Sequence, residues 1–216
     1  MRVTSPNFEH EGTIPGEFAF AVPDPDQHVA LSQNRNPQLN WEDVPEGTQS
    51  FVVCCIDDDA PTKPDDVNQE GREVPADLAR AEFVHWLLAN LPAATRQLDA
   101  GAWSEGVTAG GKANPPSPLP GVQGENDYTG WFAGDADMAG SYQGYDGPCP
   151  PWNDARVHRY HFSVFALDCA TLDLAPGFGL GELRAAMEGH VLAMATLTGH
   201  YTVSYTHLTL PTKRIV

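Results

Sequence analysis

The chain has 216 residues, with 12 Lys or Arg against 29 Asp or Glu and a net charge of −17. Hydrophobic residues make up 41% and charged residues 19%, a globular composition long enough for one well-packed core. Such an acidic surface repels nucleic acid and anionic lipid at long range, so an anionic ligand must be held by local donors. That favours a small molecule in a pocket over a polyanion spread on a face. Cys54, Cys55, Cys149 and Cys169 form no C-x-x-C pair. Reduced thiols are expected, not a disulfide framework. The N-terminus lacks the apolar core of a signal peptide, and no apolar run approaches ~18 residues. A cytoplasmic protein without a membrane span is the expectation.

In chain order, residues 18–22 read as a short strand entered through Pro15-Gly16 and closed by Pro23. Residues 50–56 form a nearly continuous apolar run that stops at Asp57-Asp58-Asp59. This is a strand buried on both faces, or on one face with cysteine on the other. Adjacent Cys54 and Cys55 point to opposite sides of it. A polar surface loop over 62–73 precedes a short helix at 76–81. Residues 82–90 are a second apolar strand, stopped by Leu91-Pro92.

Residues 114–151 form the longest irregular stretch, with seven prolines and seven glycines. Its five rings, Tyr128, Trp131, Phe132, Tyr142 and Tyr145, favour burial over a disordered linker. Residues 159–167 alternate and are rich in aromatic and β-branched side chains, a third strand. Residues 180–197 carry Leu183, Met187, Val191, Met194 and Leu197 at steps of three and four, one apolar stripe of a helix. His190 beside the stripe reads as a structural hydrogen-bonder. Residues 203–216 contain Lys213 and Arg214 but no acid. They are expected to be a non-native, vector-like or disordered tail, leaving residues 1–202 as a single domain.

Two segments carry the chemistry. The first is Asp57-Asp58-Asp59-Ala60-Pro61, followed by Phe83-Val84-His85-Trp86. The second is Gly147-Pro148-Cys149-Pro150-Pro151, leading to His158-Arg159-Tyr160. An aspartate run at a strand end is also an ordinary turn former. Asp57 and Asp59 share one side of an extended chain, and Pro61 stiffens the backbone just beyond them. His85 shares a face with Phe83 and Leu87, and once buried it needs a partner, for which an aspartate is the obvious choice. His158 shares a face with Tyr160 and Phe162, while Arg159 and His161 point away. The two histidines are therefore not a chelate on one strand. Brought together, the segments suit anion binding, metal binding or acid–base chemistry.

These motifs resemble the phosphatidylethanolamine-binding protein family, which includes the Raf kinase inhibitor proteins, and most of all its bacterial and archaeal branch. Asn126-Asp127-Tyr128, Gly144-Tyr145-Asp146-Gly147 and a helix followed by a strand over 181–201 also fit that branch. The resemblance covers residues 10–202. It implies a mainly β fold, an antiparallel, Greek-key-like β-sandwich with peripheral and C-terminal helices. It also implies a small anion pocket built from Asp57, Asp59, His85, Cys149, Pro150, Pro151, His158 and Tyr160. The implied ligand is phosphate, a phosphate ester or a phospholipid headgroup, with modulation of a partner protein as a further role. No cofactor, no metal and no general catalytic activity are implied, and a homodimer is left open.

Two departures stand out. Asp58 replaces the family's usual proline, and the link over 152–157 is polar and aromatic where the family is glycine-rich. In the expected pocket both histidines donate to the anion in protonated form, with the aspartates behind them. The alternative is a hydrolase with Cys149 as nucleophile beside a His/Asp pair, although no G-x-S-x-G elbow supports it.

Overall fold

The computed structural model describes residues 1–204. Its strands are β1 (Arg2–Thr4), β2 (Gly12–Thr13), β3 (Ala21–Asp24), β4 (His28–Leu31), β5 (Leu39–Glu42), β6 (Ser50–Pro61), β7 (Arg80–Pro92), β8 (Gln97–Leu98), β9 (Val122–Gln123), β10 (His158–Leu167) and β11 (Val191–Tyr201). Two helices, α1 (Tyr128–Trp131) and α2 (Leu180–Met187), are short. The molecule is mainly β, as expected. The main sheet runs β2-β11-β10-β6-β7-β9. It is antiparallel except where β2 joins β11 in parallel, so the sheet is mixed. A three-stranded sheet, β1-β5-β8, and the β3-β4 hairpin complete the strands.

Both faces of β6 are covered. Phe51, Val53 and Cys55 enter a core with Val3, Leu39 and Trp41 of the small sheet. Val52 and Cys54 enter a second core with Leu183 and Met187 of α2. That accounts for the unbroken apolar run and puts the two cysteines on opposite sides. Burial pushes the Cys54 thiol up to about 12, so it stays a neutral packing group.

Several expectations change. First, β6 does not stop at the aspartates. It runs to Pro61, paired with Arg80 of β7, with register shifts between Cys55 and Ile56 and between Asp57 and Ala60. Bulges let a strand bend while pairing continues.

Second, no helix forms at 76–81. Leu78 N donates to Pro75 O in a turn, and Arg80 already opens β7. The Arg80 guanidinium donates to the carbonyls of Asp59, Pro75 and Leu78, which fastens this stretch in extended form.

Third, the helix expected over 180–197 ends at Met187. Gly189, at φ 81°, turns the chain into β11. The ladder from Leu167↔Val191 to His158↔Tyr201 supplies β11 with backbone partners along its length. A helical period is a weak preference beside that ladder, and tertiary pairing overrides it. At the other end, residues 16–18 make a 3-10 turn before β3 begins at Ala21.

Of the five rings in residues 114–151, Tyr128, Tyr142 and Tyr145 are buried, Phe132 is half-buried and Trp131 is exposed. Val203 and Ser204, placed in the tail by composition, are also buried, and Val203 belongs to the main core. The rest of the 203–216 segment lies outside the described residues.

Candidate functional site

Antiparallel pairing of β10 with β6 sets Tyr160 opposite Asp57, and β7 carries His85 on the other side of β6. The two sequence segments therefore meet at one end of the main sheet. They open onto a cavity of about 490 Å³, lined by Asp57, His85, Cys149, Pro150, Pro151, His158 and Tyr160. Phe20, Phe83, Tyr128, Phe132 and Met138 form an apolar wall, and Leu31, Lys63 and Trp131 also line it. Leu31 and Trp131 are 64% and 49% exposed, so they mark the mouth.

His158 is buried, and both its nitrogens are taken. Nδ1 pairs with Asp57 Oδ2 at 2.7 Å and Nε2 with Asp154 Oδ2 at 3.1 Å. Burial opposes the charged imidazolium, but Asp154 and Asp57 outweigh it and raise the pKa to about 9. Asp154 is in turn gripped by Arg80 through two bonds, of 2.6 and 3.0 Å. Asp57, imidazolium, Asp154 and guanidinium form a buried row of alternating charge, which is how buried ions are tolerated.

His85 differs. Its Nδ1 donates to the backbone carbonyl of Asp146 at 2.8 Å, and Asp146 N donates back to His85 O at 3.0 Å. Its pKa is lowered, because burial dominates over the attraction of Asp57. The ring is therefore neutral near pH 7, and Nε2 has no hydrogen-bond partner among the described residues. Neither Asp57 nor Asp59, the aspartates expected behind His85, bonds to its ring; the partner is the main chain of Asp146. The Asp146 carboxylate instead accepts from Asn34 and Asn126 and forms an ion pair with Lys112, which holds that backbone in place. The Tyr160 hydroxyl is buried beside His85 and also lacks a partner.

The remaining residues take different places. Asp59 is buried but does not line the cavity. It accepts from Arg156 at 2.8 Å and from Arg159 Nε at 2.8 Å. Burial opposes its charge, yet Arg159 and Arg156 prevail and hold its carboxyl well below the usual range. Three consecutive carboxylates lie close enough to suggest a cation. Asp57 and Asp59 already face an imidazolium and two guanidinium groups, which leaves a cation little to gain. Burial pushes the Cys149 thiol up to about 12, and no hydrogen bond joins it to either imidazole.

The link over 152–157 is stitched to the loop over 62–73. Asn153 Nδ2 donates to the Asp66, Gln69 and Arg72 carbonyls, and Trp152 stacks on His28 with ring centroids 3.8 Å apart. Asp146 and Asp154 were not named as site residues from sequence. Asp146 acts through its main chain, and Asp154 lies in the segment read as a departure. The offset from Asp154 to His158 and the buried Arg80 it grips are visible only in three dimensions.

A mainly β protein with one end of its sheet closed over a mixed apolar and ionisable cavity is the class defined by this geometry. The family model for phosphatidylethanolamine-binding protein matches residues 4–202. A UPF0098 protein of Methanothermobacter thermautotrophicus is 34% identical over 177 residues, 82% of this chain and 89% of its own length. UPF0098 protein YbhB of Escherichia coli is 33% identical over 168 residues, 78% of this chain and 82% of its own. The crystal structure of E. coli YbcL, described as a new member of the mammalian PEBP family, matches with a TM-score of 0.66 at 25% identity. That match covers 93% of this chain and 97% of YbcL. The chain belongs to the phosphatidylethanolamine-binding protein family.

Proposed function

We propose that this protein binds an amphipathic small molecule whose anionic, phosphorylated head accepts from the Tyr160 hydroxyl and from His85 Nε2, which takes up a proton when the head binds. The observation that carries this reading is the pair of unpartnered polar groups, His85 Nε2 and the Tyr160 hydroxyl, beside the aromatic part of the cavity wall. His158 does not serve as a donor, because both its nitrogens are committed to carboxylates. It holds Asp57 in place. A cavity of about 490 Å³ is far larger than a phosphate ion needs, and its aromatic wall suits an apolar body attached to the head. Occupancy alters the exposed Leu31 and Trp131 mouth, a surface through which a partner protein could read the bound state.

Hydrolysis through Cys149 has no support: its thiol is neutral and far from activation, and neither histidine is placed to take its proton.

The test is calorimetric titration of phosphoethanolamine and of short-acyl lysophosphatidylethanolamines at about pH 5.5 and about pH 7.5, either side of the histidine range. Affinity should grow by about 0.8 kcal/mol per buried methylene. It should also be higher at the lower pH, where an anionic head recruits the His85 proton. Tyr160→Phe should cost about 1 kcal/mol and His85→Ala about 1–3 kcal/mol. Equal affinity in all three proteins would remove the cavity as the binding site.

A further inference from the structure

At the opposite end of β10 from His158, roughly 30 Å along the strand, Asp168, Cys169 and His190 come together. Each offers one ligand atom, and these atoms all lie within 4.8 Å of one another. We propose that they form a binding site for a borderline divalent transition metal, Zn2+ being the reference ion. The site is separate from the ligand cavity and does not depend on it.

The donor set is one imidazole nitrogen, one thiolate sulfur and one carboxylate oxygen. That mixture suits Zn2+ and excludes Mg2+ and Ca2+, which take oxygen ligands. His190 Nδ1 and Asp168 Oδ1 are 2.8 Å apart and share a proton. A cation can take that proton's place. Tetrahedral coordination with Zn–N and Zn–O of about 2.0–2.1 Å and Zn–S of about 2.3 Å requires ligand atoms roughly 3.3–3.6 Å apart. The imidazole–carboxylate edge must therefore open slightly and the sulfur close in. Side-chain rotation supplies both, since His190 and Asp168 are 46% and 47% exposed.

The backbone behind the three side chains is already held. Asp168 N donates to His190 O at 3.0 Å, His190 N to Met187 O at 3.0 Å, and the buried Ser50 hydroxyl to Cys169 O at 2.6 Å. Binding thus orders side chains only, on a frame that exists beforehand. Water completes the sphere, so the site is open.

The experiment uses the full chain, stripped with a chelator, titrated with Co2+ and then back-titrated with Zn2+. The expected result is one Co2+ per chain with a thiolate-to-cobalt absorption band that Zn2+ removes. Cys169→Ser should abolish the band. His190→Ala should weaken Co2+ binding at least about tenfold, the scale seen even for outer-shell changes. Cys149→Ser should leave both unchanged. Saturating Zn2+ should raise the thermal midpoint of wild type but not of Cys169→Ser, whose metal-free midpoint stays at the wild-type value. Absence of the band in wild type, or its loss in Cys149→Ser and survival in Cys169→Ser, would overturn the proposal.

Discussion

Both cavity imidazoles are buried, and they differ in what sits on each nitrogen. His85 faces one carbonyl and one free edge, whereas His158 faces two carboxylates. Removing the second ring therefore has a cost unrelated to any ligand. His158→Ala leaves Asp57 and Asp154 buried without their shared cation, and Asp154 retains Arg80 and the backbone N–H of Arg156. Breaking a buried charge pair costs about 3–5 kcal/mol. Urea denaturation should show a loss of that size. Tyr160→Phe should show none, because it deletes a hydroxyl that has no partner in the folded state. A His158→Ala protein as stable as wild type would refute the charged row.

Among the elements, the loop over 144–151 is tightly specified by space. A Cβ at Gly147 would overlap the carbonyl oxygen of Phe18. Gly147 also donates to Asn34 and accepts from the Tyr128 hydroxyl, so the loop cannot shift to make room. Gly147→Ala should cost about 1–3 kcal/mol by overpacking. A calorimetric melt should show a midpoint lower by several degrees, and an unchanged midpoint would mean that the loop yields. The strands β6 and β7 were legible as short apolar runs bounded by turn residues, and β10 as an alternating run rich in aromatic and β-branched side chains. β11 was not. Leu183 to Leu197 keeps a helical step, and only the turn at Gly189 with the ladder to β10 decides against it. The cavity residues could be named from their motifs, but their division of labour could not. His158 is charged because Asp154 joins Asp57 against it, and His85 is neutral because burial prevails there; neither Asp154 nor the depth of burial stands in the motifs.

For the whole molecule, the pH dependence of stability arises from opposed shifts. His158 has a raised folded pKa of about 9. Its contribution is complete below the unfolded value of about 6.5 and is lost as pH rises through about 9. His85 has a lowered folded pKa, so its neutral form is favoured on folding and stability falls as pH drops below about 6.5. The depressed Asp59 and Asp154 add a further loss below about pH 4, as pH falls through their folded values. The net charge of −17 adds self-repulsion on the alkaline side. Stability should therefore peak near about pH 6.5, read as the urea midpoint across the pH range. A midpoint that stays flat up to about pH 10 would show that His158 is not held charged.

The ion pair that joins the two halves of the cavity, Asp57 with His158, closes a loop of 101 residues. Local hairpins can form early in refolding, but this contact must wait until the entropy of that closure has been met. The cavity is then among the last parts of the molecule to form, on the native side of the rate-limiting barrier. His158→Ala should accelerate unfolding and leave the refolding rate nearly unchanged in stopped-flow chevrons. A slowed refolding limb would instead place the β6–β10 junction in the folding nucleus. With the junction formed late, the pocket would open first when the protein begins to unfold, and a bound ligand would act chiefly as a brake on unfolding.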